Sequence, residues 1–287
     1  MNNLLEELVQ LLNLETIEVN LFRGESKDVS GRSVFGGQVL AQALMAAYNT
    51  QTEKRQCHSL HAYFLRPGDI KIPIVYEVDR IRDGGSFTTR RVIAIQNGEA
   101  IFNLSASFQV IERGLEHEAA TMPDVPPPES LESDYDIRQR AAERVPERLR
   151  AVLTQRRPVD IRPVEPSDFL KPEPRAPRKQ AWFRADGKVG DDLALHQAIL
   201  TYASDFGLLG TGMMAHGLSF ADPNVHAASL DHTLWFHHPF RADEWLLYDM
   251  ESPSASNSRA FNRGMIYQNG KLVASVCQEG LMRVRKS

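Results

Sequence analysis

The sequence predicts an α+β fold built as two tandem copies of one unit, each a central helix wrapped by an antiparallel sheet. Two observations carry this. Phe64 and Pro67 recur as Phe236 and Pro239 at an offset of 172, and at the same offset Tyr76 meets Tyr248, Ser86 meets Ser258, Arg91 meets Arg263, and Gln96-Asn97-Gly98 meets Gln268-Asn269-Gly270. A gapless offset over about forty residues is the mark of a duplicated unit. Within each copy one helical run is followed by strand-like runs joined by tight turns. One helix cannot supply the crossovers that consecutive parallel strands need, so the sheets are antiparallel.

In order, Leu4, Leu5, Leu8, Leu11 and Leu12 are spaced for a short amphipathic helix, and 16–24 reads as extended. Gly36-Gly37 opens an Ala/Leu/Gln-rich run to about residue 50 with no breaker, a buried helix. Strands are predicted at 57–66, 71–82, 85–96 and 99–111, the last two joined by Asn97-Gly98, a strong hairpin signal. Between 113 and 177 lie eleven of the sixteen prolines, around a charged helical stretch broken at Pro146; this segment reads as a solvated connector. The second copy then gives a strand at 179–185, a helix at 191–206 opened by Asp191 and Asp192, and strands at 225–237, 244–252, 258–268 and 271–284. The expected domains are therefore 1–112, a proline-rich linker at 113–177, and 178–287 carrying the functional residues.

Composition narrows the function. The 287 residues, 42% apolar and 24% charged, suit a soluble globular protein, and a net charge of −4 offers no footprint for nucleic acid or anionic membrane. Two cysteines cannot frame a disulfide scaffold, Glu6 and Glu7 interrupt any signal peptide, and the terminal Arg-Lys-Ser is not a Ser-Lys-Leu address. The expected compartment is the cytoplasm.

Three polar positions stand out in the second copy. Asp205 ends the helix, where the negative end of the dipole disfavours a carboxylate by up to ~1 kcal/mol. Ser229 lies in the run 227-AASLDHTLWFHHPF-240, and Gln278 interrupts the apolar last strand, where a buried amide needs partners. The repeat supplies an internal control: Ser229 corresponds to Cys57 and Gln278 to Ala106, and a rough helix alignment sets Asp205 opposite Ala46. One functional copy and one structural copy follow. Strand alternation sets Ser229, Asp231 and Thr233 on one face and Leu230, His232 and Leu234 on the other. That parity, with no Gly-x-Ser-x-Gly elbow, argues against a Ser229–His232–Asp231 hydrolase. His232, His237 and His238 read as structural rather than metal-binding. His58 is an outlying candidate, and Gly36-Gly37 offers either N–H groups to an anion or close helix packing. Arg90, Arg91, Arg259 and Arg263 remain unassigned.

A long helix wrapped by a curved antiparallel sheet, twice over, is a double hot-dog. The segments Leu21-Phe22-Arg23-Gly24, Val34-Phe35-Gly36-Gly37-Gln38, His61-Ala62-Tyr63-Phe64-Leu65-Arg66-Pro67-Gly68-Asp69, Tyr202-Ala203-Ser204-Asp205, Leu230-Asp231-His232, Trp235-Phe236-His237 and Gln278-Glu279-Gly280 resemble the bacterial acyl-CoA thioesterase II family across the chain outside the linker. The resemblance implies hydrolysis of acyl-CoA without metal or redox cofactor. It also implies that Asp205, Ser229 and Gln278 activate the attacking water, and that the chain forms a homodimer or larger homo-oligomer. Leu208, Leu209, Met213 and Met214, just beyond Asp205, are candidate linings of an acyl groove. A hot-dog enoyl-CoA hydratase, which would need an Asp/His pair not evident in the sequence, and a silent acyl-CoA binding module are the alternatives.

Overall fold

A computed structural model describes residues 3–29, 33–53 and 55–285. Lys286 and Ser287, part of the C-terminal tripeptide read above, lie outside the described residues. The first copy comprises α1 (Asn3–Leu12), β1 (Glu15–Glu18), β2 (Leu21–Gly24), α2 (Gly36–Asn49), β3 (Gln56–Phe64), β4 (Ile74–Asp83), β5 (Phe87–Gln96) and β6 (Glu99–Gln109). The intervening segment holds α3 (Asp134–Ala142), α4 (Glu147–Leu153) and β7 (Val159–Pro163). The second copy comprises β8 (Arg178–Ala185), α5 (Leu193–Ser204), α6 (Leu208–Met214), β9 (Val225–Ser229), β10 (Asp231–Phe236), β11 (Leu246–Ser256), β12 (Arg259–Gln268) and β13 (Lys271–Val284). No helix among these is long and apolar enough to cross a membrane.

The duplication is visible in backbone detail. β5 and β12 coincide at both ends under the 172-residue offset, and the Asn-Gly turns share left-handed geometry, with φ 52° at both Asn97 and Asn269. Gln96 uses its amide to tie down Asp69 (2.8 Å) and Gln268 ties down Arg241 (2.9 Å), the same contact one copy later.

The two half-sheets join edge to edge. The strand order is β1-β2-β4-β5-β6-β3-β10-β13-β12-β11-β8-β7, with β9 alongside β13, so one thirteen-stranded sheet runs through both copies. The seam is the antiparallel pair β3·β10, where Leu60 faces Leu234, both 0% exposed. All pairings are antiparallel, as hairpin connections require. The helices α2 and α5 pack side by side against the sheet. Leu40, Leu44, Ile199 and Leu200 join one contiguous core drawn from both copies. Gly37 makes that approach possible, because a Cβ there would sit 2.3 Å from the Tyr202 carbonyl oxygen.

The proline-rich segment departs from the expected solvated connector. β7 pairs with β8 and becomes the edge strand of the second half-sheet. The stretch around residues 120–131 lies on that sheet's outer side, where Trp182, Leu247 and Tyr267 form a second apolar cluster with Met122, Val125 and Leu131. Trp182 Nε1 donates to the Pro126 carbonyl (3.0 Å), and Trp245 Nε1 donates to Glu129 (3.0 Å). Proline spacing alone does not reveal this, because the partners are aromatic side chains more than fifty residues away.

Trp182 should therefore anchor the segment. Trp182→Ala is expected to cost about 3 kcal/mol by removing a large buried ring and to open residues 113–177 to limited trypsin digestion. A variant with wild-type urea midpoint and no new cleavage would show that the segment does not depend on that ring.

Candidate active site

The site lies where the two copies meet. α5 ends at Asp205, its C-cap residue with φ −80° and ψ −14°. Phe206 follows, and Gly207 takes φ +83°, a left-handed value suited to glycine, before the chain turns into α6. This break holds the Asp205 side chain off the end of α5, toward the first copy. There α2 begins at Gly36 with Phe35 as N-cap, and Phe35 offers no capping oxygen. Its free N–H groups need an acceptor. Gly37 N–H donates to Asp205 Oδ2 at 3.0 Å. A carboxylate at the unfavourable end of its own helix is thus set at the favourable end of another. The glycines are required: a Cβ at Gly36 would lie 2.7 Å from Asp205 Oδ2. Of the two readings left open for Gly36-Gly37, both hold, since the pair packs closely and binds an anion, and the anion is Asp205.

The other carboxylate oxygen, Oδ1, receives Gln278 Nε2 at 2.7 Å and lies 3.5 Å from Ser229 Oγ; Gln278 Nε2 and Ser229 Oγ are 3.1 Å apart. Asp205, Ser229 and Gln278, distant in sequence, therefore converge. Gln278 is 0% exposed, whereas Ser229 is partly exposed and forms the open side of the cluster.

The strand reading around Ser229 needs correction. Ser229 pairs with Gly280 but Thr233 pairs with Cys277, so four steps on one strand match three on the other. This is a one-residue bulge at Leu230, and it inverts the alternation. Val225, Ala227 and Ser229 face inward before it, and His232, Leu234 and Phe236 face inward after it. His232 thus shares the face of Ser229, while Asp231 turns away and accepts Glu279 N–H at 2.6 Å. Period-two counting cannot register an inserted residue, and no glycine marks it.

His232, read from the sequence as structural, is a fourth member of the cluster. It is 0% exposed, with Nδ1 3.1 Å from Gln278 Nε2 and 4.0 Å from Asp205 Oδ1, and Nε2 2.9 Å from Ser204 Oγ. Burial drives its pKa down to about 4 against an opposing pull from Asp205, so the ring is neutral near pH 7. An Asp/His pair is present after all, but the imidazole is enclosed and both nitrogens are engaged within the protein, so it does not face a substrate.

The first copy repeats the bulge, between Cys57 and Ser59, without the polar set. Cys57 and Ala106 are each 1% exposed, and the corner between Cys57 and the end of α2 is occupied by Tyr48 rather than Ala46. Its hydroxyl accepts Cys57 N–H at 2.8 Å and donates to Gln197. This corner therefore holds a phenol where the other holds a carboxylate.

The outlying candidates are placed elsewhere. His58 bonds Ser107 (2.8 Å) and meets the edge of Phe87. Arg91, Arg259 and Arg263 are paired with Asp79, Glu279 and Glu251, and Arg90 is buried against Asp83 and Thr50. Leu208 lies in the main core, while Leu209 and Met213 close onto Val225 in a small separate cluster. Among the described residues no three His, Cys, Asp or Glu side chains gather as a metal site.

Comparison with known proteins follows the same lines. Residues 150–281 match the family model for acyl-CoA thioesterase, and residues 26–109 match that for the acyl-CoA thioesterase N-terminal domain. The chain is 39% identical over 284 residues to acyl-CoA thioesterase 2 of Haemophilus influenzae, covering 99% of each protein. It is 40% identical to human acyl-coenzyme A thioesterase 8, covering 96% of this chain and 88% of the relative. The crystal structure of acyl-CoA thioesterase II TesB2 from Mycobacterium marinum superposes with a TM-score of 0.79 at 43% identity, covering 97% of this chain and 99% of that one. A protein of unknown function from Alicyclobacillus acidocaldarius, solved as a hot dog fold, reaches the same TM-score, 0.79, at 21% identity. With its helix-in-sheet unit repeated across one seam and homology over nearly its whole length, the chain belongs to the acyl-CoA thioesterase family of double hot-dog thioester hydrolases.

Proposed function

We propose that the protein hydrolyses fatty acyl-CoA to free fatty acid and CoA by a water that Asp205 activates and that Ser229 and Gln278 orient. The observation that carries this reading is the mutual convergence of the three side chains beside the start of α2: Gln278 Nε2 and Ser229 Oγ lie 2.7 and 3.5 Å from Asp205 Oδ1 and 3.1 Å from each other. Asp205 takes a proton from the water as its oxygen bonds to the thioester carbon. The tetrahedral intermediate then collapses, the carbon–sulfur bond breaks, and the CoA thiolate leaves and is protonated. Gly37 holds Oδ2 and Gln278 holds Oδ1, so the carboxylate is fixed before substrate arrives and loses little freedom on reaction. The enclosed His232 counts against a hydratase, and a polar set kept in one copy but replaced in the other counts against a silent binding module.

We further propose that two chains associate through the outer face of the central strands. Two rows cross four neighbouring strands there: Ser107–Ser59–Trp235–Ser275 and Ser105–His61–Thr233–Cys277. Neither row carries a formally charged acid, lysine or arginine, which is unusual for a solvated sheet face, and Tyr63 beside them is 59% exposed. A second copy, with the same patch related by a two-fold axis, satisfies such a face.

Three outcomes are expected. Asp205→Asn should lower kcat for palmitoyl-CoA, followed by release of free thiol, by at least ~100-fold, in a variant whose circular dichroism shows a folded chain. Equal rates in variant and wild type would sink the water-activation reading. Sedimentation velocity should find the wild type as a dimer or larger and Trp235→Lys as a monomer; a monomeric wild type would remove the association proposal. Acid should weaken the fold through His232. The unfolded ring binds a proton near its ordinary value and the folded ring only near 4, so stability falls as pH drops through that interval, by roughly 3 kcal/mol when complete. Urea denaturation at pH 7 and pH 4.5 should show a smaller loss in His232→Asn than in wild type, and an equal loss would contradict the assignment.

A further inference from the structure

The hydrogens around Gln278 are over-subscribed, and counting them assigns a role to His232. The Gln278 amide nitrogen has three acceptors within 3.1 Å, Asp205 Oδ1, Ser229 Oγ and His232 Nδ1, but only two hydrogens. The deciding contact lies behind the imidazole. Ser204 has one hydroxyl hydrogen and gives it to the Thr201 carbonyl (2.9 Å), which can only accept. Ser204 Oγ can therefore only accept from His232, 2.9 Å away, so the ring carries its hydrogen on Nε2. A neutral imidazole with hydrogen on Nε2 presents a bare lone pair at Nδ1. That lone pair takes one Gln278 hydrogen and Asp205 takes the other. Ser229 keeps its own hydrogen, held only by a long 3.5 Å contact to Asp205 Oδ1, which a water or substrate can replace.

We propose that His232 is a positioning residue for the hydrolysis: through the chain Thr201–Ser204–His232 it locks the Gln278 carboxamide with its NH2 toward Asp205. Asp205 cannot do this alone throughout the reaction. Once it has accepted the water's proton it can donate as well as accept, and the carboxamide could then turn its oxygen toward the acid. His232 Nδ1 accepts only, so the reversed amide would set oxygen against a nitrogen lone pair. The orientation of Gln278 thus survives the step in which Asp205 changes charge. This inference rests on the assignment of Asp205, Ser229 and Gln278 to the water, and it names the support behind them.

The experiment has a wild-type arm and a variant arm. In 15N-histidine-labelled wild type at pH 7, the resonance that His232→Asn removes should report the Nε2–H neutral tautomer; an Nδ1–H tautomer or an imidazolium would overturn the proposal. Among variants, asparagine can present an oxygen near the position of Nδ1, whereas glutamine reaches only the position of Nε2 and leucine reaches neither. His232→Asn should keep kcat within about tenfold, and His232→Gln and His232→Leu should lose about 100-fold, all with KM within about threefold of wild type. Added to Gln278→Ala, His232→Leu should cost less than about threefold more, because the group it orients is gone. Full activity in His232→Leu, or equal losses in the asparagine and glutamine variants, would refute the role. Asp205→Asn run alongside separates the failures. If it keeps the wild-type rate, the water-activation reading itself is wrong; if it is inactive while His232→Leu is fast, only the positioning role falls.

Discussion

The structure depends on one contact between its halves, the Asp205 carboxylate set against the N-terminus of α2. At the end of α5 alone this charge faces the partial negative charge of four unpaired carbonyls. Against Gly37 N–H it meets the opposite partial charge and a charge-assisted hydrogen bond at 3.0 Å. The geometry that allows this is strict. Two glycines let α2 approach, Gly207 lets the chain leave α5, and Phe35 stacks on Phe206 at 4.5 Å and meets Tyr202 edge-on at 5.2 Å, closing the aromatic side of the corner. A single copy could not build this corner, because the carboxylate and the helix start come from different copies.

Duplication explains why only one such corner is polar. An antiparallel seam between β3 and β10 relates the copies by an approximate two-fold axis, so each helix end meets the other copy's helix start. Two equivalent corners result, each with a bulge in the adjoining strand. Filling one with Tyr48, Cys57 and Ala106 makes it part of the core. The other keeps a carboxylate, a hydroxyl and an amide, which buried apolar packing would tolerate only with full hydrogen bonding. His232, Ser204 and Thr201 extend that bonding on the inner side, although the buried Gln278 Oε1 has no partner, and Ser229 is the partly exposed member on the outer side.

The segment between the copies has a comparable economy. Lacking a hydrophobic period of its own, it gains structure by pairing β7 with a sheet edge and by capping Trp182 and Trp245, with Arg162 and Arg184 over the Trp245 ring at 5.0 and 4.3 Å. It also reaches the corner, since the Arg157 guanidinium stands 4.7 Å over Phe206 and pairs with Asp134 at 2.9 Å.

What the sequence determined by itself was whatever is local or repeated. Helix and strand periods, the Asn-Gly turns and the constant offset are written in the sequence itself, and the ends of β5 and β12 at Gln96 and Gln268 follow from them. Asp205, Ser229 and Gln278, which converge in the fold, stood out in the sequence because each breaks a local rule that its counterpart in the other copy obeys. Tertiary structure decided the rest. The seam that merges two sheets, the carboxylate's partner in α2 and the packing of the proline-rich segment all join residues far apart in sequence. The bulge at Leu230 is a register difference between two strands, so neither strand shows it alone. His232 changed face through that one inserted residue, and a buried imidazole becomes interpretable only when the donors and acceptors around it can be counted.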